Sequence, residues 1–142
     1  MRLLAIDPGE KMLGVAISDP SGTIARPLTS LRHESREKDA GRIVALAGEH
    51  EAETIVLGLA LDTEGQVGPQ ARRAERLADA IRLLTAIPVL LHDESYSTQT
   101  AEQARRGSKK ARARRAHREQ IHAVAAAAIL QSYLDAHPIR EA

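Results

Sequence analysis

The stretch Leu3-Leu4-Ala5-Ile6-Asp7-Pro8-Gly9, followed by Gly14-Val15-Ala16-Ile17-Ser18-Asp19, decides the fold. Leu3 to Ile6 is a short, continuous apolar run closed by a turn signal, the pattern of a buried strand. Asp7 then stands where that strand meets solvent. Gly9 and Gly14 let the backbone turn tightly and let a ligand approach. A carboxylate fixed at such a place can hold a cation or meet a phosphate. The same residues also suit a hairpin with a solvated Asp at its turn, and these few residues leave both readings open.

Working outward, Asp19-Pro20-Ser21-Gly22 is strong turn chemistry. Thr23 to Leu31 reads as a third strand in which Pro27 signals an edge or a bulge. The first three strands therefore form an antiparallel meander. Glu34 to Glu49 has Ala40, Ile43, Val44 and Ala47 at helical spacing, and Glu53 to Leu59 is another buried strand. The loop Ala60 to Gly68 leads to a helix opened by Pro69 and running to about Thr85. Ile87 to Leu91 is a fifth strand. Ser97 or Thr98 can cap a short helix through about Arg106. Gln120 to Ala136 is a closing helix, ended by Pro138. The order predicts an α/β fold: a mixed five-stranded sheet, three antiparallel strands and then strand–helix alternation, with helices on both faces. The unbroken apolar runs fit strands covered on both sides.

Length bounds the chain to one domain over residues 1–142. Cysteine is absent, which removes disulfides and thiolate metal sites. No apolar run approaches membrane-spanning length, and Asp7 interrupts any leader-like pattern, so a soluble cytoplasmic protein is the simplest expectation. With two Tyr and no Phe or Trp, base stacking on aromatic platforms is a poor candidate for the main recognition mode. The net charge of +1 hides an uneven distribution. Residues 1–104 carry 11 basic and 16 acidic side chains, whereas 105–118 carry eight basic and none acidic. That block either forms a solvated helix face or meets a polyanion. Eight cations without one acid favour phosphates, through Lys109, Lys110, Arg112, Arg114, Arg115 and Arg118. Their spacing shows no base-reading pattern, so backbone contacts are expected.

Strands one, four and five should be parallel neighbours, which brings Asp7 and Asp93-Glu94 to one end of the sheet. His122 lies at the N-terminal turn of the closing helix as read here. Carboxylates converging there repel unless a cation lies between them. Oxygen donors select Mg²⁺ or Mn²⁺, ions that support phosphodiester hydrolysis. Asp93-Glu94 could equally cap the next helix, and His122 could be a hydrogen-bonded helix residue.

The motifs together resemble the YqgF/RuvX family, whose members are described as Holliday junction resolvases or pre-16S rRNA nucleases. Ile6-Asp7-Pro8-Gly9-x-Lys11-x-x-Gly14-Val15-Ala16-x-Ser18-Asp19-Pro20 is similar to its first motif, and Arg26-Pro27-Leu28 to its third strand. Ile55 to Leu59 with Gly65 resembles its Gly-Leu-Pro loop, Asp93-Glu94 with Ser97-Thr98 its acidic motif, and Ala125 to Leu134 its closing helix. The resemblance implies an RNase H-like fold and metal-dependent nuclease activity in maturing the 5′ end of 16S ribosomal RNA, with branched DNA as a further substrate. It assigns catalysis and metal binding to Asp7, Glu94 and His122, with Asp93 adjacent, and allows a monomer or a homodimer. Three positions depart from the pattern: Ala60 replaces a Pro, Ser95 an Arg, and His122 the third acid. A neutral imidazole can bind Mn²⁺ but brings no negative charge, so a preference for Mn²⁺ is expected.

Two rivals follow from the same residues. Asp-x-Gly-x-x-x-x-Gly also opens the phosphate-binding lobe of actin-like and sugar-kinase ATPases, but those need two lobes and this chain has room for one. A catalytically weakened nucleic-acid-binding or regulatory module is the other, kept open by His122 and Ser95.

Overall fold

The computed structural model describes residues 1–60, 64–93 and 111–138, the last span with its side chains from Gln120 onward. Five strands form one sheet: β1 (Arg2–Asp7), β2 (Met12–Ser18), β3 (Ala25–Arg32), β4 (Ala52–Leu59) and β5 (Val89–Asp93). Their spatial order is β3-β2-β1-β4-β5, with β1 to β3 antiparallel and β1, β4 and β5 parallel. Among the described residues three helices, α1 (Arg36–Glu49), α2 (Pro69–Arg82) and α3 (Ala111–Ala136), cover the sheet. The meander and the parallel half are those expected from the sequence.

Alternation along each strand sorts the side chains into two layers. Leu4 and Ile6 of β1, Leu13, Val15 and Ile17 of β2, and Ile55 and Leu57 of β4 pack with Ala40, Ile43 and Ala47 of α1 and Leu77, Ala78 and Ile81 of α2. On the other face Leu3, Ala5, Ala16 and Val56 meet Ala126, Leu130 and Leu134 of α3. Each fully buried Leu or Ile contributes about 1.5–3 kcal/mol. The strand residues under α3 are mostly small, which lets that helix lie close to the sheet.

Local signals explain most boundaries. Asp19 accepts the backbone N–H groups of Thr23 and Ile24 and the Ser21 hydroxyl, closing the β2–β3 turn. Those donors, the Ile24 N–H foremost, hold its carboxyl far below the usual range. Pro27 lies on the edge strand beside a register shift, where its missing N–H does no harm. Ser35 caps α1 by accepting the Lys38 N–H at 3.1 Å, and Pro69 opens α2.

Three boundaries differ from expectation. The apolar period of α2 continues through Leu83 and Leu84, yet the helix ends at Arg82 and both leucines are exposed. Arg82 instead donates to the Val89 carbonyl at 2.7 Å, where the chain turns into β5. That strand starts at Val89 rather than Ile87 and reaches Asp93; Pro88 precedes it, having no N–H for the ladder. The closing helix begins at Ala111, not Gln120, because the Ala- and Arg-rich basic block is itself strong helix former. The helix expected between Ser97 and Arg106 lies outside the described residues.

Candidate active site

Asp7 ends the central strand and pairs with Gly14 of β2. By alternation it shares the face of Leu3 and Ala5, the side covered by α3. It is half-buried. Gly14 lies on the same face, and the backbone of α3 comes close to it. A Cβ built there would stand 1.8 Å from the His122 carbonyl oxygen and 3.0 Å from the Ala123 nitrogen. Only glycine permits this approach, and through it the helical turn of His122 and Ala123 sits beside the strand pair that carries Asp7.

The parallel register sets Asp7 level with Gly58, which pairs with His92 of β5. No side chain intervenes on β4 at that level. His92 faces the same side but is two strands away, on the order of 10 Å. Its Nε2 lies 3.1 Å from the Ser132 Oγ, and its ring meets Tyr133 edge-on with centroids 5.5 Å apart. Burial, then the neighbouring His137, hold the His92 imidazole below its usual range, against the pull of Asp93.

Asp93 does lie at the same sheet end as Asp7, at the carboxyl ends of parallel strands. Alternation nevertheless groups it with Leu91, on the α1 and α2 side, away from the face of Asp7. Glu94, Lys109 and Lys110 lie outside the described residues. Arg112, Arg114, Arg115 and Arg118 belong to the first turns of α3; their side chains are also outside the described set. His122 is corrected from the N-terminal turn to the interior of α3, since the helix starts at Ala111. Its backbone N–H therefore belongs to the helix, leaving the half-buried side chain as its functional group.

Among the described residues, no three His, Cys, Asp or Glu side chains form a cluster able to hold a metal ion. Asp7 and His122 nonetheless bring a carboxylate and an imidazole from facing elements. Both are donors that Mn²⁺ accepts, and the carboxylate suits Mg²⁺.

On the other side of the sheet, at the same end, a cavity of about 410 Å³ opens between Pro8, Gly9, α1 and α2. Arg36, Arg72, Arg73 and Arg76 line it. Sequence reasoning missed this cluster because residues 1–104 are acidic in sum. The i, i+4 spacing of Arg72 and Arg76 and the i, i+3 spacing of Arg73 and Arg76 were its available signals. At the rim the buried Asp39 accepts from His33, from the Glu34 N–H and from Arg42. Burial pushes the Asp39 carboxyl up, but these donors outweigh it and hold it below its ordinary value.

Comparisons with known proteins agree with one another. Residues 1–136 match the model of the RuvX family, described as Holliday junction resolvase. A protein of Thermoanaerobacter pseudethanolicus named "Putative pre-16S rRNA nuclease" is 40% identical over 136 residues, 95% of this chain and 96% of that protein. A Myxococcus xanthus protein of the same name is 40% identical over 137 residues, covering 96% and 89%. Among solved structures, T. thermophilus RuvC in complex with a Holliday junction superposes with a TM-score of 0.64 at 15% identity, over 99% of this chain and 98% of that one. Fowlpox virus resolvase with Holliday junction DNA gives 0.57 at 10% identity, over 98% and 100%. At such identities these two likenesses establish the fold, an RNase H-like α/β sheet.

Proposed function

The chain belongs to the RuvX family of Holliday junction resolvases, and from that membership we propose that it hydrolyses phosphodiester bonds of structured nucleic acid with a divalent cation at the Asp7 end of the sheet. It is a hydrolase of the nuclease kind. We further propose that it trims the 5′ end of pre-16S ribosomal RNA, the substrate in the names of its relatives. Branched DNA, which the RuvC and poxvirus structures hold, is a second substrate in this reading.

The observation that carries the proposal is the convergence of Asp7 with the His122 turn through Gly14. Asp7 supplies fixed negative charge and hard oxygen donors at a strand end that cannot shift without disturbing the core. His122 supplies a nitrogen donor without charge. Glu94 is the second acid that the family resemblance assigns. A bound Mg²⁺ or Mn²⁺ would supply activation of water and neutralisation of charge on the phosphate. The basic residues of the last helix, Arg112 to Arg118, draw the polyanion toward this end.

The replacement of an acid by His122 predicts weaker support by Mg²⁺ than by Mn²⁺. Cleavage of a labelled four-way DNA junction and of a structured RNA with a 5′ extension, over full concentration ranges of each metal, tests this. His122→Asp should raise the Mg²⁺-supported rate. Equal rates with both metals would remove the assigned role of His122. Binding of both probes without cleavage, unchanged by Asp7→Asn, would instead support a binding or regulatory module.

A further inference from the structure

We propose that the cavity between α1, α2 and the Pro8–Gly9 turn is a phosphodiester-binding subsite, holding the nucleic-acid backbone on the far side of the sheet from Asp7. The proposal rests on the nuclease reading for the identity of its anion; the cavity and its charge stand independently.

The charges in the cavity are unequal. Arg73 faces Glu10 at 3.4 Å, and Asp39 is occupied by His33 and Arg42. Arg36, from the first turn of α1, and Arg72 and Arg76, from α2, make no ion pair among the described residues. Three guanidinium groups from two helices thus share one opening whose lining carboxylate, Asp39, is already held by His33 and Arg42. Like charges gathered in a concave site raise the local positive potential and concentrate anions there. Guanidinium forks match phosphate oxygens in pairs, so a phosphate suits them better than a point anion.

The lining also says which phosphate compound fits. Leu13 and Leu77 form its apolar part. It contains no Phe, Tyr, Trp, Asn or Gln, and His33 is held by Asp39. No aromatic ring or carboxamide lines it to stack a base or read its edge, so backbone phosphate is the ligand its guanidinium forks match best. Position supplies the remaining argument. Pro8 and Gly9 line the cavity and directly follow Asp7. Two residues of extended chain span at most about 7 Å, so a strand leaving the Asp7 end can cross the rim of the sheet and enter the cavity. The basic turns of α3 lead into the His122 turn on the opposite side of the sheet, and the two together would grip the substrate on both sides of the cleavage point.

The test uses the full chain carrying Asp7→Asn, so that probes are bound and not cut. Fluorescence anisotropy with the labelled four-way junction and the RNA with a 5′ extension is read over a series of KCl concentrations. Arg36→Gln, Arg72→Gln and Arg76→Gln together should weaken binding by about tenfold or more. They should also reduce the slope of log affinity against log salt by about 2, since each single-strand phosphate contact contributes about 0.7. Arg26→Gln, on the edge strand away from the cavity, should change affinity less than about twofold. The matching triple change to Lys keeps the charge and should retain most of the affinity, which separates lost contacts from lost folding. Unchanged affinity and slope in the Gln triple, on both probes, would overturn the proposal. Cleavage by the chain with Asp7 intact reports on the nuclease reading alone, so either idea can fail without the other.

Discussion

Replacing Gly14 by alanine perturbs the contact on which the candidate site depends. The new methyl carbon would lie 1.8 Å from the His122 carbonyl oxygen and 2.2 Å from its carbon. Both are backbone atoms and cannot rotate aside. Carbon contacts settle near 3.5 Å, so α3 must withdraw by roughly 1.5 Å or β2 must bow. Overpacking of this kind costs about 1–3 kcal/mol, and a rigid backbone partner puts it at the upper end. The entropy gained by losing a strand glycine offsets about 0.5–1 kcal/mol. A net loss of about 2 kcal/mol should lower Tm by about 6–8 °C in a chain of this size. Catalysis should suffer more, because a displacement of about 1 Å can cost on the order of 100-fold in rate. Calorimetry together with single-turnover cleavage of the four-way junction measures both. A Gly14→Ala chain with unchanged Tm and rate would refute the close approach of α3 to the Asp7 pair.

Gly41, inside α1, should respond in the opposite way: nothing lies within 4 Å of a Cβ built there, so Gly41→Ala should stabilise by about 0.5–1 kcal/mol in urea unfolding, and destabilisation would contradict the packing described. Asp39→Asn leaves Arg42 without its buried partner and should cost about 1–3 kcal/mol, moderated because Arg42 is partly solvated. The folded carboxyl of Asp39 titrates below its ordinary value of 3.8, so its contribution is complete above that pH and is lost as pH falls further. Acid unfolding of wild type and Asp39→Asn should therefore converge at low pH, and a constant gap between them would count against the network. His92 has its folded pKa below its ordinary 6.5, so the unfolded chain binds more protons just below neutrality and stability falls as pH drops through 6.5. His92→Gln should flatten that part of the stability–pH curve, and an unaltered slope would remove His92 as its source.

The sheet was legible in the sequence because its strands are short, unbroken apolar runs separated by strong turn residues. Asp19 and Gly22 made the β2–β3 turn readable, and Pro27 marked the edge. Asp7 was legible as a strand end for the same reason. What escaped was set by packing rather than by local pattern. Leu83 and Leu84 continue the period of α2 but find no surface to cover, so periodicity overran the helix. The basic block looked like a separate segment because charge was read before propensity; from Ala111 onward its alanines and arginines extend α3. Asp93 and Glu94 looked like one acidic pair, whereas alternation assigns Asp93 to the face of Leu91. The arginine cavity needs α1 and α2 side by side, a juxtaposition that no single window of sequence contains.

Metal-dependent cleavage by wild type against Asp7→Asn tests the central claim most directly. Under single-turnover conditions with Mn²⁺, wild type should cut the four-way junction or the 5′-extended RNA. Asp7→Asn should lose more than about 100-fold in rate, since even outer-shell partners of a metal cost 10–100-fold, while its unfolding curve stays close to that of wild type. Cleavage that persists in Asp7→Asn, or that proceeds equally in excess chelator, would contradict the account.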